Sequence, residues 1–239
     1  MSRDREQILQ EMGLGPVWKL RAKPAAMPVE ELAAPASAVP VPLPESAPAG
    51  AAAMTWEELS AAVAACRQCR LCEARKQAVL GVGDVNADWL FVGEGPGAEE
   101  DQRGEPFVGQ AGKLLDNMLA AIGLERGQDV YIANAVKCRP PENRTPSPEE
   151  TAACRPYLER QIELIRPKLI VALGRPAAQT LLQAEIKIAA ARGKLHDYRG
   201  IPLIVTYHPA YLLRTLLDKA RAWEDLCFMK RTMKAQKGG

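Results

Sequence analysis

The chain has 239 residues, of which 47% are hydrophobic, and its formal net charge is +2. This length predicts one domain with an additional segment, and the hydrophobic fraction is sufficient for a core. The small net charge alone gives no sign of a polyanionic partner. The sequence contains no run of about 18 apolar residues, the length that a membrane-spanning helix needs. The first residues, MSRDREQILQEMG, contain acids and lack the apolar stretch of a signal peptide. We therefore expect a cytoplasmic protein that does not contact a membrane.

Residues 1–55 predict a disordered arm rich in Ala and Pro. Residues 24–53 contain eleven Ala and seven Pro, and this composition buries too little apolar surface to offset the entropy lost on ordering. Residues 3–12 fit a short amphipathic helix, and Trp18 lies among basic residues. We expect residues 1–23 to dock on a protein partner, and the alternative is a tail without a partner.

Residues 56–239 predict an α/β domain. Apolar residues in segment 114–122 repeat with the period of a helix, and Ser147 and Glu150 predict a capped helix that reaches about Ile165. Short runs rich in Val and Ile, each flanked by turn residues, are typical of buried parallel strands. They are DWLFVGE, DVYIANAVKC, PKLIVALG and IPLIVTYHP. The predicted fold is a three-layer α/β/α arrangement with a central four-stranded parallel sheet.

Polar or flexible residues follow each predicted strand: Glu94, Asn134, Gly174 and His208. The carboxyl ends of parallel strands meet at one edge of the sheet, where ligands bind. The glycines of GEGPGAEED are typical of a phosphate-binding loop, but no Lys follows them and the acids would repel phosphate. The site at this edge is therefore expected to take a different ligand.

Four cysteines have a spacing typical of a metal site. Cys66 and Cys69 form a C-x2-C motif, Cys138 follows the second strand, and Cys154 comes after fifteen further residues. Disulfides are rare in a reducing compartment, and four thiols suit either zinc or an iron–sulfur cluster, between which spacing does not decide. Cys72 is an alternative to Cys69 through a C-x5-C pair. We expect a structural site, with redox chemistry as the alternative.

The polar groups at the sheet edge suit the removal of a base from a sugar. The amide of Asn134 can pair with the edge of a nucleobase, and Phe107 offers a face on which a flat ring can stack. His208 can donate a hydrogen bond to an oxygen that gains negative charge, and carboxylates can orient a water molecule. Acids beside glycines would then face a cationic sugar rather than a phosphate.

Several long motifs resemble those of the iron–sulfur uracil-DNA glycosylases of family 4. They are GEGPGAEED, RGEPFVGQAGKLLD, YIANAVKCRPPENRTPSPEE, LIVALG and YHPAYLLR, and the resemblance covers about residues 57–235. It implies a DNA repair enzyme that flips uracil out of DNA and hydrolyses its N-glycosidic bond, leaving an abasic site. It also implies a monomer that binds uracil-containing DNA in association with the nucleoid.

The resemblance assigns a role to particular residues. The implied ligands of a [4Fe-4S] cluster are Cys66, Cys69, Cys138 and Cys154. The implied catalytic residues are Glu94 and Glu100, which serve the water and the sugar, and His208, which stabilises the leaving base. In the implied substrate site, Phe107 stacks on uracil, Asn134 reads its polar edge, and the backbone approaches closely at Gly95 and Gly97. The other implied substrate-site residues are Asn143 and Arg214.

Further residues are candidates for DNA contact. Leu212 and Leu213 are candidates for a wedge beside Arg214, and the other phosphate candidates are Arg139, Arg144, Lys194 and Arg199. The segment PAYLLRTLLDK lacks the additional His of the branch that traps uracil covalently, which favours ordinary turnover. Two alternatives are a non-catalytic module that binds uracil-containing DNA or accompanies a polymerase, and a redox-active iron–sulfur protein.

Overall fold

The computed structural model describes residues 51–237 of the chain. The predicted docking peptide at 1–23 and most of the predicted arm lie outside the described residues. The described part begins with a short 3₁₀ turn, Ala51–Ala53. The carbonyl of Met54 next accepts a hydrogen bond from Nε of Arg160 at 2.7 Å. The described residues therefore include 51–55, which were predicted to belong to the arm.

A six-stranded sheet forms the centre of the domain. Its strands are β1 (Val82–Gly83), β2 (Trp89–Gly93), β3 (Val130–Asn134), β4 (Leu169–Leu173), β5 (Leu195–Tyr198) and β6 (Ile201–Thr206), in the order β1-β3-β2-β4-β6-β5. The neighbours β3, β2, β4 and β6 pair in parallel, whereas β1 and β5 pair antiparallel at the two edges. The predicted parallel strands are confirmed, but the sheet has six strands and not four.

The helices are α1 (Trp56–Ala65), α2 (Leu71–Ala74), α3 (Ala98–Arg103), α4 (Gln110–Ala121), α5 (Pro148–Ile165), α6 (Arg175–Leu182), α7 (Ile188–Ala191), α8 (Pro209–Arg214) and α9 (Lys219–Lys237). The predicted cap of α5 is confirmed. The Ser147 hydroxyl accepts from the Glu150 backbone N–H at 3.3 Å, and the Glu150 carboxylate accepts from the Ser147 N–H at 2.8 Å. None of the helices in 51–237 is both long and apolar enough to cross a membrane.

Alternate residues of the parallel strands fill two cores on opposite faces of the sheet. On one face Phe91 of β2 packs with apolar residues of α4 and α9. On the other face Leu90 and Val92 pack with apolar residues of α5 and α6. Because both faces are covered, the parallel strands are apolar along almost their whole length, as the sequence runs predicted. The resulting order of layers is α/β/α.

A third, smaller core surrounds the cysteine motifs. Leu59 and Val63 of α1 pack with Leu71 of α2 and Tyr157 of α5. Cys66, Cys69, Cys138 and Cys154 belong to the same cluster. The segment before the first strand is therefore attached to α5 through an apolar contact that includes the thiols.

Candidate active site

A cleft of about 910 Å³ opens at the carboxyl ends of the parallel strands. All the non-cysteine residues predicted for catalysis and substrate binding line it: Glu94, Gly95, Gly97, Glu100, Phe107, Asn134, Asn143, His208 and Arg214. The sheet register accounts for part of this convergence, because Gly93 at the end of β2 pairs with Asn134 at the end of β3. The chain thus brings together residues that are more than one hundred positions apart.

Asn134 supplies a hydrogen-bonding side chain at the floor of the cleft. The residue is 2% exposed, and within residues 51–237 its Oδ1 atom accepts no hydrogen bond. A buried polar atom without a partner is costly, so such atoms in native sites are explained by strain, function or a missing ligand. A ligand with an N–H group at this position would satisfy the amide.

Phe107 forms an aromatic wall of the cleft in a strained backbone conformation. Its φ of 55° lies in the left-handed region, which is uncommon for a bulky residue. The loop is held by Arg126, whose guanidinium donates to the carbonyls of Pro106 at 2.9 Å and Phe107 at 2.8 Å. Gly112 of α4 lies so close to the Phe107 carbonyl that no Cβ would fit there. Backbone contacts therefore fix the ring in place.

His208 stacks near Phe107, with ring centroids 5.4 Å apart and planes inclined by 28°. The backbone N–H of Ala210 donates to its Nδ1 atom at 3.1 Å, so the ring proton resides on Nε2 in the neutral form. Loss of water around the ring, followed by the charge of Arg214, lowers the pKa of His208 to about 4, and Glu100 opposes this weakly. At neutral pH the ring is thus an uncharged hydrogen-bond donor.

The two predicted catalytic carboxylates have different surroundings. Both oxygens of Glu100 accept backbone hydrogen bonds, from Gly97 at 3.1 Å, Val108 at 3.0 Å and Gly109 at 3.2 Å. These bonds join the glycine loop to the loop that carries Phe107. Glu94 lines the cleft with its pKa raised by burial, an effect that a hydrogen bond from Thr145 and the charge of Arg175 oppose.

Two of the DNA-contact candidates are wrong. Leu212 is 1% exposed and packs in the core, so it cannot act as a wedge, whereas Leu213 is 41% exposed. Arg199 lies just before β6, at the edge of the sheet opposite to the cleft, where it pairs with Glu159 at 3.0 Å. The sequence did not reveal either placement, because that of Leu212 depends on which face of α8 packs on the core and that of Arg199 on the end of the sheet at which it lies.

Three other phosphate candidates have varied positions. Arg144 lines the cleft but forms a two-pronged pair with the Glu150 carboxylate, at 2.8 and 2.6 Å. Arg139 donates to Oδ1 of Asn143 at 2.8 Å and so supports that cleft residue. Lys194 precedes β5 and does not line the cleft.

Several residues of the cleft were not predicted. They include Thr145, Arg175, Lys187, Tyr207 and Tyr211. Arg175 directly follows Gly174 at the end of β4, so its position after a strand could have indicated it. The aromatic rings of Tyr207 and Tyr211 stack at a centroid distance of 5.2 Å. They lie within the motif YHPAYLLR, where their rings gave no signal distinct from core packing.

The four predicted metal ligands line one small pocket: Cys66, Cys69, Cys138 and Cys154. Cys72 is partly exposed and lies outside this lining. Nη1 of Arg75 donates to Sγ of Cys138 at 2.8 Å, and the backbone N–H of Lys137 donates to Sγ of Cys154 at 3.2 Å. These donors favour the thiolate form that binds metal.

The chemistry of the donor set fits a thiolate-bound group. Each of the four cysteines is a free thiol, and four soft sulfur donors suit an iron–sulfur cluster or zinc. Within 51–237, no three His, Cys, Asp or Glu side chains are arranged around the position of one metal ion. Burial raises the pKa of Cys138 and raises that of Cys154 to about 12, in the absence of a metal charge.

Comparisons with known proteins show the family of this chain. The family model described as Uracil DNA glycosylase superfamily matches residues 80–227. Proteins named Type-4 uracil-DNA glycosylase are similar over most of the domain. The one from Archaeoglobus fulgidus is 50% identical over 159 residues, covering 63% of this chain and 79% of its own. The one from Thermotoga maritima is 47% identical over 167 residues, covering 69% and 86%, and the one from Pyrobaculum aerophilum is 45% identical over 182 residues, covering 72% and 92%. The chain therefore belongs to the uracil-DNA glycosylase superfamily.

Proposed function

We propose that this protein is a uracil-DNA glycosylase, which hydrolyses the bond between uracil and deoxyribose in DNA. The observation that supports this best is the buried amide of Asn134, whose Oδ1 has no partner within the described residues and lies in the cleft with Phe107 and His208. The likeness to relatives named Type-4 uracil-DNA glycosylase supports the same substrate.

Base recognition follows from the side chains around the cleft floor. Oδ1 of Asn134 would accept from the N3–H group of uracil, and its amide N–H would donate to the adjacent carbonyl. Phe107 would stack on the pyrimidine. Because a base must leave the helix to enter this cleft, unstacking costs a few kcal/mol and is cheapest in single strands or mismatches. Cytosine presents no N–H at position 3, so it would leave the Asn134 acceptor unsatisfied.

Bond cleavage requires stabilisation of two opposite charges. As the bond between C1′ and N1 breaks, its electron pair goes to uracil and the sugar becomes cationic. Nε2–H of the neutral His208 would donate to the base oxygen that gains negative charge, as a fixed donor that retains its proton. A water molecule would add to C1′, and the Glu94 carboxylate would take a proton from that water.

Glu100 has a different task in this proposal. Its carboxylate accepts from three backbone N–H groups, which leaves it little capacity to bind a water molecule as well. We assign it to positioning the glycine loop and the Phe107 loop, while its negative charge still favours a cationic sugar nearby. This differs from the direct role in catalysis that the family resemblance implies.

The four cysteines would hold a [4Fe-4S] cluster in this proposal. When bound, the cluster would act as a covalent cross-link among the segment after α1, the loop after β3 and helix α5. The contacts of Arg75 and of the Lys137 backbone with two of the sulfurs support thiolate ligands. The structural role agrees with the separate linings of the cysteine pocket and the cleft, which share no residue.

The experiment is release of free uracil from a single-stranded oligonucleotide with one deoxyuridine, using the full-length purified protein with its visible absorption recorded. Alkali then reveals the abasic site. We expect release by the wild-type protein and a loss of rate in Glu94→Gln and in His208→Ala, with both variants folded. Cys227→Ala serves as a control, because Cys227 lies on α9 outside the cysteine pocket.

Three results would contradict the proposal or a part of it. A folded protein with visible absorption that binds the oligonucleotide but releases no uracil would indicate a non-catalytic binding module. Release that is unchanged in Glu94→Gln and His208→Ala would refute the roles of both residues. Full activity of a Cys138→Ala protein that lacks absorption would show that the cluster does not support the fold.

A further inference from the structure

Lys137 is a buried lysine directly behind the cleft floor. It is 1% exposed, and its Nζ donates to the backbone carbonyl of Asn134 at 2.8 Å and to Oε1 of Gln161. Lysines are rarely buried without a charged partner. In the described chain no carboxylate forms an ion pair with Lys137, so its ammonium group is committed to these two neutral oxygens.

Lys137 donates to the backbone carbonyl of Asn134, the residue whose side-chain Oδ1 accepts no hydrogen bond within 51–237. Asn134 is the last residue of β3, and the following N–H, that of Ala135, donates to Gly93 at 2.8 Å. The Asn134 peptide is thus fixed on one side by the sheet and on the other by Lys137. Since an Asn side chain has only two rotatable bonds, the orientation of its backbone largely sets where the amide points.

The backbone of Lys137 contacts the cysteine pocket. The backbone N–H of Lys137 donates to Sγ of Cys154, and Cys154 and Gln161 lie on the same helix, α5. Nε2 of Gln161 donates to the Leu80 carbonyl at 3.0 Å. Lys137 therefore connects α5 and the thiol pocket to the end of β3 through short hydrogen bonds.

We infer that Lys137 is a positioning residue that orients the Asn134 amide for base recognition. The inference rests on the proposed glycosylase function. An ammonium group suits this task, because it can donate to the backbone carbonyl and the Gln161 carbonyl at once, and a charged donor makes the stronger hydrogen bond. The residue itself does not line the cleft, so it acts only through Asn134.

The test is a double-mutant cycle on the full-length holoprotein. Lys137→Met keeps the length of the side chain and removes the donor. We expect it to slow uracil release under single-turnover conditions roughly 10- to 100-fold, because misplacing a recognition group costs about that much. Affinity for the oligonucleotide and the visible absorption should stay within twofold of wild type. In an Asn134→Ala background, where release is followed for hours with excess enzyme, Lys137→Met should have no further effect.

Matched variants separate positioning from general stability. Lys113→Met removes an exposed lysine of α4 and should leave the release rate unchanged. If Lys137→Met loses its absorption, Gln161→Met replaces it in the cycle. That variant keeps the lysine and removes its second acceptor, and we expect a smaller loss of rate that also vanishes in the Asn134→Ala background.

Three outcomes would overturn the inference: an unchanged rate in Lys137→Met, equal fold losses in both backgrounds, or a loss for Gln161→Met that persists without the Asn134 amide. A wild-type protein that releases no uracil would instead refute the proposed function. If the wild type releases uracil but the rate losses of Lys137→Met and Asn134→Ala are additive, only the role of Lys137 is refuted.

Discussion

The neutral state of His208 predicts a pH dependence of the free energy of unfolding, which can be measured without any substrate. Its pKa in the folded protein is about 4, against an ordinary value of 6.5. At a pH between these two pKa values, His208 is protonated in the unfolded chain but not in the folded chain. The contribution of His208 to the free energy of unfolding is therefore fully present above about pH 6.5 and declines as the pH falls towards 4. Between about pH 7 and about pH 4.5, linkage gives a loss of about 2 kcal/mol from this residue alone.

The perturbation is His208→Asn, which removes the titration but leaves a good helix N-cap at the start of α8. Urea unfolding of both proteins at the two pH values gives the free energies, and other titrating groups cancel in the comparison. We expect the wild type to lose about 2 kcal/mol more than the variant. An equal loss in the two proteins would refute the assignment of His208 as a neutral donor, and so would a nuclear magnetic resonance signal that titrates near 6.5 and is assigned to His208 by its absence from the variant.

Three further predictions concern the surroundings of the cleft and the cysteine pocket. Gly112→Ala should lower the free energy of unfolding by roughly 1–3 kcal/mol, as measured in urea, because the new Cβ would collide with the Phe107 carbonyl. Leu212→Ala should cost about 2–5 kcal/mol in the same assay, whereas Leu213→Ala should change little, and the reverse order would contradict the observed burial. If Cys138 is a ligand of the proposed cluster, Arg75→Met should lower the reduction potential of that cluster and speed the loss of its visible absorption in chelator, since the variant removes a hydrogen bond to the Cys138 sulfur. A reduction potential and a rate of absorption loss that are the same in Arg75→Met and in the wild type would refute the role of Arg75 at the cluster.

The central strands could be predicted because burial on both faces requires continuous apolar runs. The helix from Pro148 to Ile165 could be predicted because its cap is formed by local residues. The edge strands could not. β1 has only two residues, and β5 reads LHDY, with exposed positions and no apolar run. Their pairing is determined by the position of the neighbouring strands, and that information is not local.

The convergence of the cleft residues could be predicted from their places after parallel strands. The internal bonds of the cleft could not. Nothing in the sequence near Arg126 indicates that its guanidinium holds the Phe107 loop from nearly twenty residues away. Likewise, Lys137 reads as an ordinary basic residue beside Cys138, and only the packing of α5 against β3 reveals that it is buried.

The acids of the glycine loop illustrate why a motif alone cannot assign roles. Glu94 and Glu100 lie in one short motif and carry the same functional group, but the fold of the backbone gives their side chains different surroundings. Glu94 follows the last residue of β2 and reaches the cleft. Glu100 occupies the third position of α3, where a carboxylate can accept the N–H of the residue before the helix. The glycines make this possible, because a Cβ at Gly97 would lie 2.6 Å from the Glu100 carboxylate. The loop therefore uses one acid to fold its own backbone and presents the other to the cleft.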